Sequence, residues 1–296
     1  MRNKFVIVAA SVLLTTSPFA QATLIDLTTA GSSGNDGTVL YNQVSNQSTG
    51  TGVFPSFEQI GGNVTATQGY NTTVNDVFNN ASSDQHNHEL MFGDVGVTTI
   101  DGIDYVGFIL DVNQTGDNPL LSLDDIQVFI SSDPNQSTTT FTGGGLVDFA
   151  NSQEVYRLSD GTEIRLNFAL NSGSGSGDMT MLIPFTFFQT AFNTFYGGSP
   201  TAAQENGSFV YLYSAFGGNA ITPPPYPNND GFEEWAHFNG APVGEPPCVP
   251  SASNNFCQPE SIPEPMSASL LGAGLLGLGL ASLLRRRKGR GSDAAA

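Results

Sequence analysis

From residue 162 to residue 170, large apolar side chains alternate with polar or small ones. The apolar positions are Ile164, Leu166, Phe168 and Leu170. A period of two places these side chains on one face of an extended chain, whereas a helix would scatter them around its axis. The segment is therefore predicted to be a β-strand with one buried face, and the fold must supply it with neighbouring strands.

Similar extended segments recur along the chain, separated by loops rich in Gly, Asn and Asp. The predicted strands are 37–44, 62–67, 96–100, 104–112, 125–131, 154–158, 162–170, 179–187, 208–216 and 232–238, with one helix at 188–195. Asp101-Gly102 and Asp160-Gly161 are pairs that favour tight turns, so each is expected to join two strands. About ten half-buried strands predict two packed sheets, an all-β fold of β-sandwich (jelly-roll) type, with a closed barrel as the alternative.

The N-terminus predicts an export signal. Arg2 and Lys4 precede an apolar run at 5–14, and residues 20–22 (Ala-Gln-Ala) have the small-residue spacing of a signal-peptidase site. The run is too short to span a bilayer, which requires roughly 20 residues. A buried N-terminal helix is the alternative, but it leaves the small-residue motif unexplained. We expect removal of residues 1–22, with Thr23 as the first residue of the mature chain.

The C-terminus predicts a membrane span. Residues 266–284 carry no charge and are mostly Leu, Gly, Ala and Ser. As a helix they would extend roughly 28 Å, about the thickness of the hydrocarbon layer. The cations that follow are Arg285, Arg286, Arg287, Lys288 and Arg290. Because such clusters stay on the cytoplasmic side, the chain before the span is expected outside. A buried core helix, the alternative, does not account for the cations.

A Pro-Glu-Pro motif, Pro263-Glu264-Pro265, stands directly before this span, and its prolines hold the chain extended. The order of motif, apolar span and Arg-rich end resembles the PEP-CTERM sorting signal of Gram-negative surface proteins. The resemblance covers about residues 262–290, and the tail after it is longer than such signals carry. It implies that an exosortase-like membrane protease recognises the motif and that residues 285–288 are a basic stop. The precursor would cross the membrane once and transiently, and removal of the span would pass the body on to the cell surface or the medium.

The predicted organisation has five parts. They are a signal peptide at 1–22, a β-sandwich domain at 23–240, a Pro-rich stalk at 241–261, a sorting signal at 262–290 with its transmembrane helix at 266–284, and a tail at 291–296. The stalk contains Cys248 and Cys257, which are expected to form a disulfide outside the cell. No further sulfur is available for a thiolate metal site.

The charge of the chain between its two ends excludes some partners. Of the 9 Lys and Arg residues only Arg157 and Arg165 lie between residues 23 and 262, against 25 of the 27 Asp and Glu residues. The net charge of this body is therefore −23. Nucleic acid requires basic contacts, so we expect no nucleic-acid partner. The acidity is compatible with an extracellular protein or with binding of divalent cations.

A calcium site is the leading candidate for ligand chemistry. The segment 111–118 carries side-chain oxygens at alternating positions near a glycine, the ligand type that calcium prefers. An EF-hand would place Glu where this chain has Ser122, so a loop of the sandwich is expected instead. The candidate ligands are Asp111, Asn113, Asp117 and Asp124, with Asp125 as a substitute for Asp124. In the alternative, these are turns whose side chains cap their own backbone.

Two further clusters are weaker candidates. A second acidic loop contains Asn229, Asp230, Glu233 and Glu234. His86 and His88 would face the same side of a strand and bind zinc or copper there, or else lie in a solvated loop. Of these metals, calcium is the leading candidate for a cofactor.

No Ser/His/Asp or Cys/His arrangement stands out, so the chain is predicted not to be an enzyme. We expect an exported envelope or matrix protein, which the resemblance links to exopolysaccharide and biofilm. The alternative is a calcium-assisted carbohydrate-binding module that stacks sugars on Tyr211, Tyr213 and Trp235, provided that these rings are exposed. A hydrolase would require an acidic cleft holding a carboxyl of raised pKa.

Overall fold

The computed structural model describes residues 23–44, 55–61, 65–81, 85–173, 175–218 and 226–237. The chain divides into two units, Met1–Pro247 and Cys248–Ala296, and all the described residues belong to the first. The predicted signal peptide, the stalk with both cysteines, and the sorting signal lie outside these residues. Within the described ranges, no helix combines the length and apolar character needed to cross a membrane.

The first sheet has seven strands. Its order is β1 (Leu24–Asp26), β11 (Glu163–Asn167), β9 (Leu120–Ser131), β13 (Phe209–Phe216) and β5 (Thr67–Tyr70), with β10 (Ser152–Arg157) beside β9 and β6 (Leu90–Met91) beside β13. β1 pairs with β11 in parallel, and the other pairs of this sheet are antiparallel.

The second sheet also has seven strands, all paired antiparallel. Its order is β2 (Ser33–Asn35), β3 (Leu40–Gln43), β12 (Met179–Pro184), β8 (Ile103–Asp111), β14 (Phe232–His237) and β4 (Ser56–Gly61), with β7 (Val97–Ile100) beside β8. The helices are α1 (Phe185–Tyr196) and α2 (Ala202–Asn206), and short 3₁₀ turns occupy Phe92–Asp94 and Phe168–Leu170.

The main hydrophobic core joins the two sheets. Val128 and Leu212 of the first sheet belong to the same buried cluster as Phe108 and Trp235 of the second. The indole N–H of Trp235 also donates to the Ser214 hydroxyl across the sheets, at 3.1 Å. The prediction of an all-β protein with two packed sheets is therefore confirmed.

A second hydrophobic cluster covers the outer face of the first sheet. Residues alternate along β13, so Leu212 belongs to the main core while Tyr211 and Tyr213 belong to this outer cluster. Phe149 from the segment after β9 and Val77 from the segment after β5 belong to the same cluster, and the Phe149 ring lies 5.2 Å from that of Tyr211. The loops thus bury a sheet face that would otherwise meet solvent.

Two predicted strands extend too far, and the strand predicted at 62–67 is misplaced, because β4 ends at Gly61 and β5 begins at Thr67. The strand predicted at 179–187 ends at Pro184, and α1 begins at Phe185, three residues before its predicted start. The predicted strand 162–170 ends at Asn167, whose side-chain oxygen accepts from the Ala169 N–H and starts a 3₁₀ turn. In both cases the chain leaves the sheet while its side chains remain apolar, so alternation alone did not mark the end.

Candidate functional site: a buried acidic cluster

The two loops predicted as separate candidates meet at one end of the second sheet. The Gln114 side-chain amide donates to Glu233 Oε1 at 3.0 Å and to Asn228 Oδ1 at 3.2 Å. The Thr115 N–H donates to Asn229 Oδ1 at 2.8 Å, and the Asn229 N–H donates to Gln114 Oε1 at 3.1 Å. The loop after β8 and the loop before β14 therefore form a single site.

The pairing of the strands explains this meeting. β8 and β14 are antiparallel neighbours with Asp111 opposite Glu234, so the end of one strand lies beside the start of the other. The loops approach so closely that a Cβ atom on Gly231 would lie 2.5 Å from Asn113 Nδ2. Gly231 also has φ +65°, a conformation that glycine adopts without strain. Only glycine fits at this crossing.

A third loop joins the site from β12, the neighbour on the other side of β8. The Asp111 carboxylate accepts the N–H groups of Gly175, Ser176 and Gly177 at 2.7, 3.2 and 3.1 Å. Asp178 in turn accepts the Val112 N–H through Oδ2 at 2.9 Å. Successive backbone N–H groups form an anion-binding concavity, and here its anion is a side chain of the same protein.

Three carboxyls of this acidic cluster, Asp111, Asp178 and Glu233, are almost fully buried. Their exposed fractions are 1%, 2% and 0%. Burial raises the pKa of each of them, because desolvation disfavours the charged form. The charges oppose one another as well: Asp111 raises the pKa of Asp178, and both raise that of Glu233.

Hydrogen bonds offset the rise in the pKa values of these three carboxyls only in part. The backbone N–H groups lower the pKa values of Asp111 and Asp178, and the Asn113 N–H, which donates to Glu233 Oε2 at 2.9 Å, lowers that of Glu233. Within the part of the chain that the structure describes, Asp178 Oδ1 is buried with no hydrogen-bond partner. The cluster therefore holds protons to higher pH than ordinary carboxyls do, and it fastens three loops together.

The predicted calcium ligands are only partly brought together. Asp111 and Asn113 lie in the cluster and Asp117 lies exposed in the adjoining turn, whereas Asp124 is on β9 of the other sheet and accepts the Gly218 N–H at 2.6 Å. Among the described residues, no group of three or more His, Cys, Asp or Glu side chains is arranged to hold a metal ion. Calcium binding by these four residues stays a prediction.

Sequence reasoning missed Asp178. The sequence feature that could have indicated it is the glycine-rich run at 173–177, directly before Asp178. Alternating glycines allow successive backbone N–H groups to point the same way and bind an anion. The histidines were singled out instead. His86 Nδ1 lies 2.7 Å from the Ser56 hydroxyl and 3.8 Å from Glu234 Oε1.

The aromatic residues proposed as sugar platforms are buried. Tyr211, Tyr213 and Trp235 are 0%, 2% and 0% exposed. The tyrosines do lie on the outer face of their sheet, but the loops of the outer cluster cover them, while Trp235 lies in the main core. The expectation that these rings offer stacking surfaces is wrong, and a carbohydrate-binding role would have to use another part of the surface.

Comparison of the chain with models of protein families, with curated proteins and with solved structures finds no match.

Proposed function

We propose that this chain is an exported protein of the cell envelope or extracellular matrix, sorted by an exosortase-like protease and without enzymatic activity. The observation that carries the proposal is the order of three parts: Pro263-Glu264-Pro265, the uncharged stretch 266–284 and the arginine-rich end. The charged and apolar start of the chain and its small-residue motif at 20–22 support export by the same route.

The body of the protein supports a structural role. β14 ends at His237, so the sorting motif follows the last described strand after a connecting segment. Asp111, Asp178 and Glu233, the strongest candidates for chemistry, each accept backbone N–H groups of a neighbouring loop. Carboxyls that accept hydrogen bonds from neighbouring loops in this way hold those loops together, which is a structural role. Under this proposal the sandwich is of jelly-roll type, and its surface meets the exopolysaccharide of a biofilm.

The experiment is the intact mass and C-terminal sequence of the protein recovered from native cells and medium. We expect a chain that begins at Thr23 and ends near Pro263–Pro265, in the surface or medium fraction. In Glu264→Gln the motif loses its charge, and we expect the chain to keep Ala296 and to stay in the membrane fraction.

The matched control is Glu260→Gln, which makes the same change just before the motif and should be processed like the wild type. A wild-type chain that ends at Ala296 in the inner membrane would contradict sorting. Equal processing of all three chains would show that the Pro-Glu-Pro motif is not recognised.

A further inference from the structure

A pocket of about 340 Å³ opens on the outer face of the first sheet, away from the acidic cluster. Strand register defines its floor: Ala215 of β13 lies opposite Asp125 of β9 on one side and Gln68 of β5 on the other. Residues directly opposite each other place their side chains on the same face. Because the central side chain is only a methyl group, a depression remains between a carboxyl and an amide.

One wall of the pocket is aromatic. Phe141, from the loop between β9 and β10, lines the pocket and leaves 41% of its surface exposed. Its ring is held at 5.7 Å from Tyr213 and 5.7 Å from Phe78, so packing fixes its position. Phe141 is thus an exposed aromatic side chain held in place at the edge of the pocket, and the face of an aromatic ring carries the negative charge that attracts a cation.

Another part of the pocket lining is acidic. Asp124 and Asp125 both line the pocket, and the Gly218 N–H donates to Asp124 Oδ2 at 2.6 Å. Burial raises the pKa of Asp125, and the Arg157 guanidinium lowers it. Arg157 is itself paired with Asp160 at 2.9 Å, and it is one of only two cationic side chains in a body of net charge −23. The surroundings of the pocket therefore favour a cation over an anion.

We propose that this pocket binds a small organic ammonium ion, with its alkyl groups on the Phe141 ring and its charge beside Asp124 and Asp125. Carboxylates supply the counter-charge, an aromatic face attracts a cation that retains apolar substituents, and the space above Ala215 accommodates a group of this size. Metal ions lack the apolar part that the ring would recognise. The site goes beyond the structural role of the body and does not depend on the sorting signal.

The test is ligand-observed NMR on the full chain, with choline as the probe and 3,3-dimethyl-1-butanol as its uncharged equivalent in shape. We expect saturation transfer to the choline methyl protons with a dissociation constant on the order of 1 mM. The alcohol should bind at least about tenfold more weakly, because it keeps the apolar contact and loses the charge. Added salt should weaken choline binding.

Three variants locate the site. Asp125→Asn removes a charge, Phe141→Leu keeps an apolar side chain without the aromatic face, and Ala215→Val fills the floor; each should weaken choline binding roughly tenfold or more. The matched controls are Asp104→Asn and Phe232→Leu, which change an exposed aspartate and a phenylalanine that is 43% exposed elsewhere. Both controls should bind as the wild type does. Near-UV circular dichroism establishes that each variant is folded.

Several outcomes would overturn the proposal. They are no choline binding at about ten times the expected constant, equal binding of the alcohol, and unchanged choline binding in folded Phe141→Leu and Asp125→Asn. Glucose included as a third probe, bound as tightly as choline and lost in the same variants, would assign the pocket to neutral sugars instead.

Discussion

Asp178→Asn is expected to make the protein more stable near pH 8 and to leave its stability unchanged near pH 4. In the charged form, Asp178 Oδ2 accepts from the Val112 N–H, but the buried Oδ1 has no hydrogen-bond partner among the described residues. An unsatisfied buried atom of a charged group costs about 1–3 kcal/mol, and Asp111 adds repulsion. Asn keeps the acceptor for Val112 but places an amide NH2 where the unpaired oxygen lies, so what it removes is the buried charge and its repulsion by Asp111. Because an unsatisfied charged group costs more than a neutral one, we expect a gain of about 2 kcal/mol near pH 8.

The direction of the pH dependence follows from the pKa of Asp178. Burial raises this pKa in the folded protein, so the folded state holds its proton where the unfolded chain has lost its own. The stabilisation is complete below the unfolded pKa of about 3.9 and declines as the pH rises towards the folded pKa, by at most about 1.4 kcal/mol per pH unit. The variant lacks this titration, and its advantage therefore grows from about pH 4 upward.

Urea unfolding at a series of pH values, with EDTA present, measures this difference. The control is Asp117→Asn, an exposed position in the loop after β8, which should stay within about 0.5 kcal/mol of the wild type throughout. If Asp178→Asn is less stable than the wild type near pH 8, the carboxylate is stabilised as an anion and the argument from the cost of its buried charge is refuted. A difference that does not vary with pH would refute the raised pKa.

Two further substitutions test the packing of the loops. Asn71→Ala removes a fully buried amide that donates to the Val210 carbonyl at 2.9 Å and accepts the Leu212 N–H at 2.7 Å, and should cost about 3 kcal/mol in urea unfolding, whereas the exposed Asn135→Ala should change little. Gly102→Ala should cost about 1 kcal/mol from backbone strain alone, because φ is +79° and no atom of the described residues lies within 4 Å of the added Cβ. Gly116→Ala, at a similarly open position without positive φ, is its control, and equal losses in the two would contradict the strain argument.

The hairpin of β7 and β8 shows what sequence alone predicts well. Asp101 and Gly102 have φ of +52° and +79°, the values of the turn that an Asp-Gly pair favours, and the strands on either side pair in register. All the information for this hairpin is local, since turn residues and flanking strands lie within about a dozen positions. Prediction from the sequence succeeds here because no distant contact competes.

Asp160-Gly161 carries the same signal and forms no hairpin. β10 and β11 both pair with β9, β10 along Gln127–Ser131 and β11 along Leu120–Leu123. They therefore lie one after the other on the same side of that strand. β9 is twelve residues long, so a single strand offers backbone partners to two shorter ones. A long partner elsewhere in the chain decided the pairing, and the turn residues did not reveal it.

The acidic cluster was predictable in its parts and not in its assembly. The sequence marks Asp111 and Glu233 as candidates, but more than a hundred residues separate them, and only the pairing of β8 with β14 brings them together.

The alternation of apolar and polar residues along β11 did not show that the second face of this strand is covered as well. Glu163 and Arg165 occupy that face and are 1% and 9% exposed, as an ion pair at 2.6 Å.

The scarcity of cations explains how this chain manages its carboxylates. With 25 acidic residues and two arginines between residues 23 and 262, few carboxylates can be paired with a cation. Backbone N–H groups take the place of cations. Among the described residues, the acidic side chains that accept such bonds are Asp26, Asp36, Glu89, Asp111, Asp124, Asp133, Asp178, Asp230 and Glu233. Loop N–H groups are not paired within a sheet and need other hydrogen-bond acceptors. The acidic side chains therefore accept backbone N–H groups mainly where the chain is irregular. The acidic side chains thus help to order the loops by accepting backbone N–H groups. Asp178→Asn separates this acceptor role, which Asn keeps, from the negative charge, which Asn lacks.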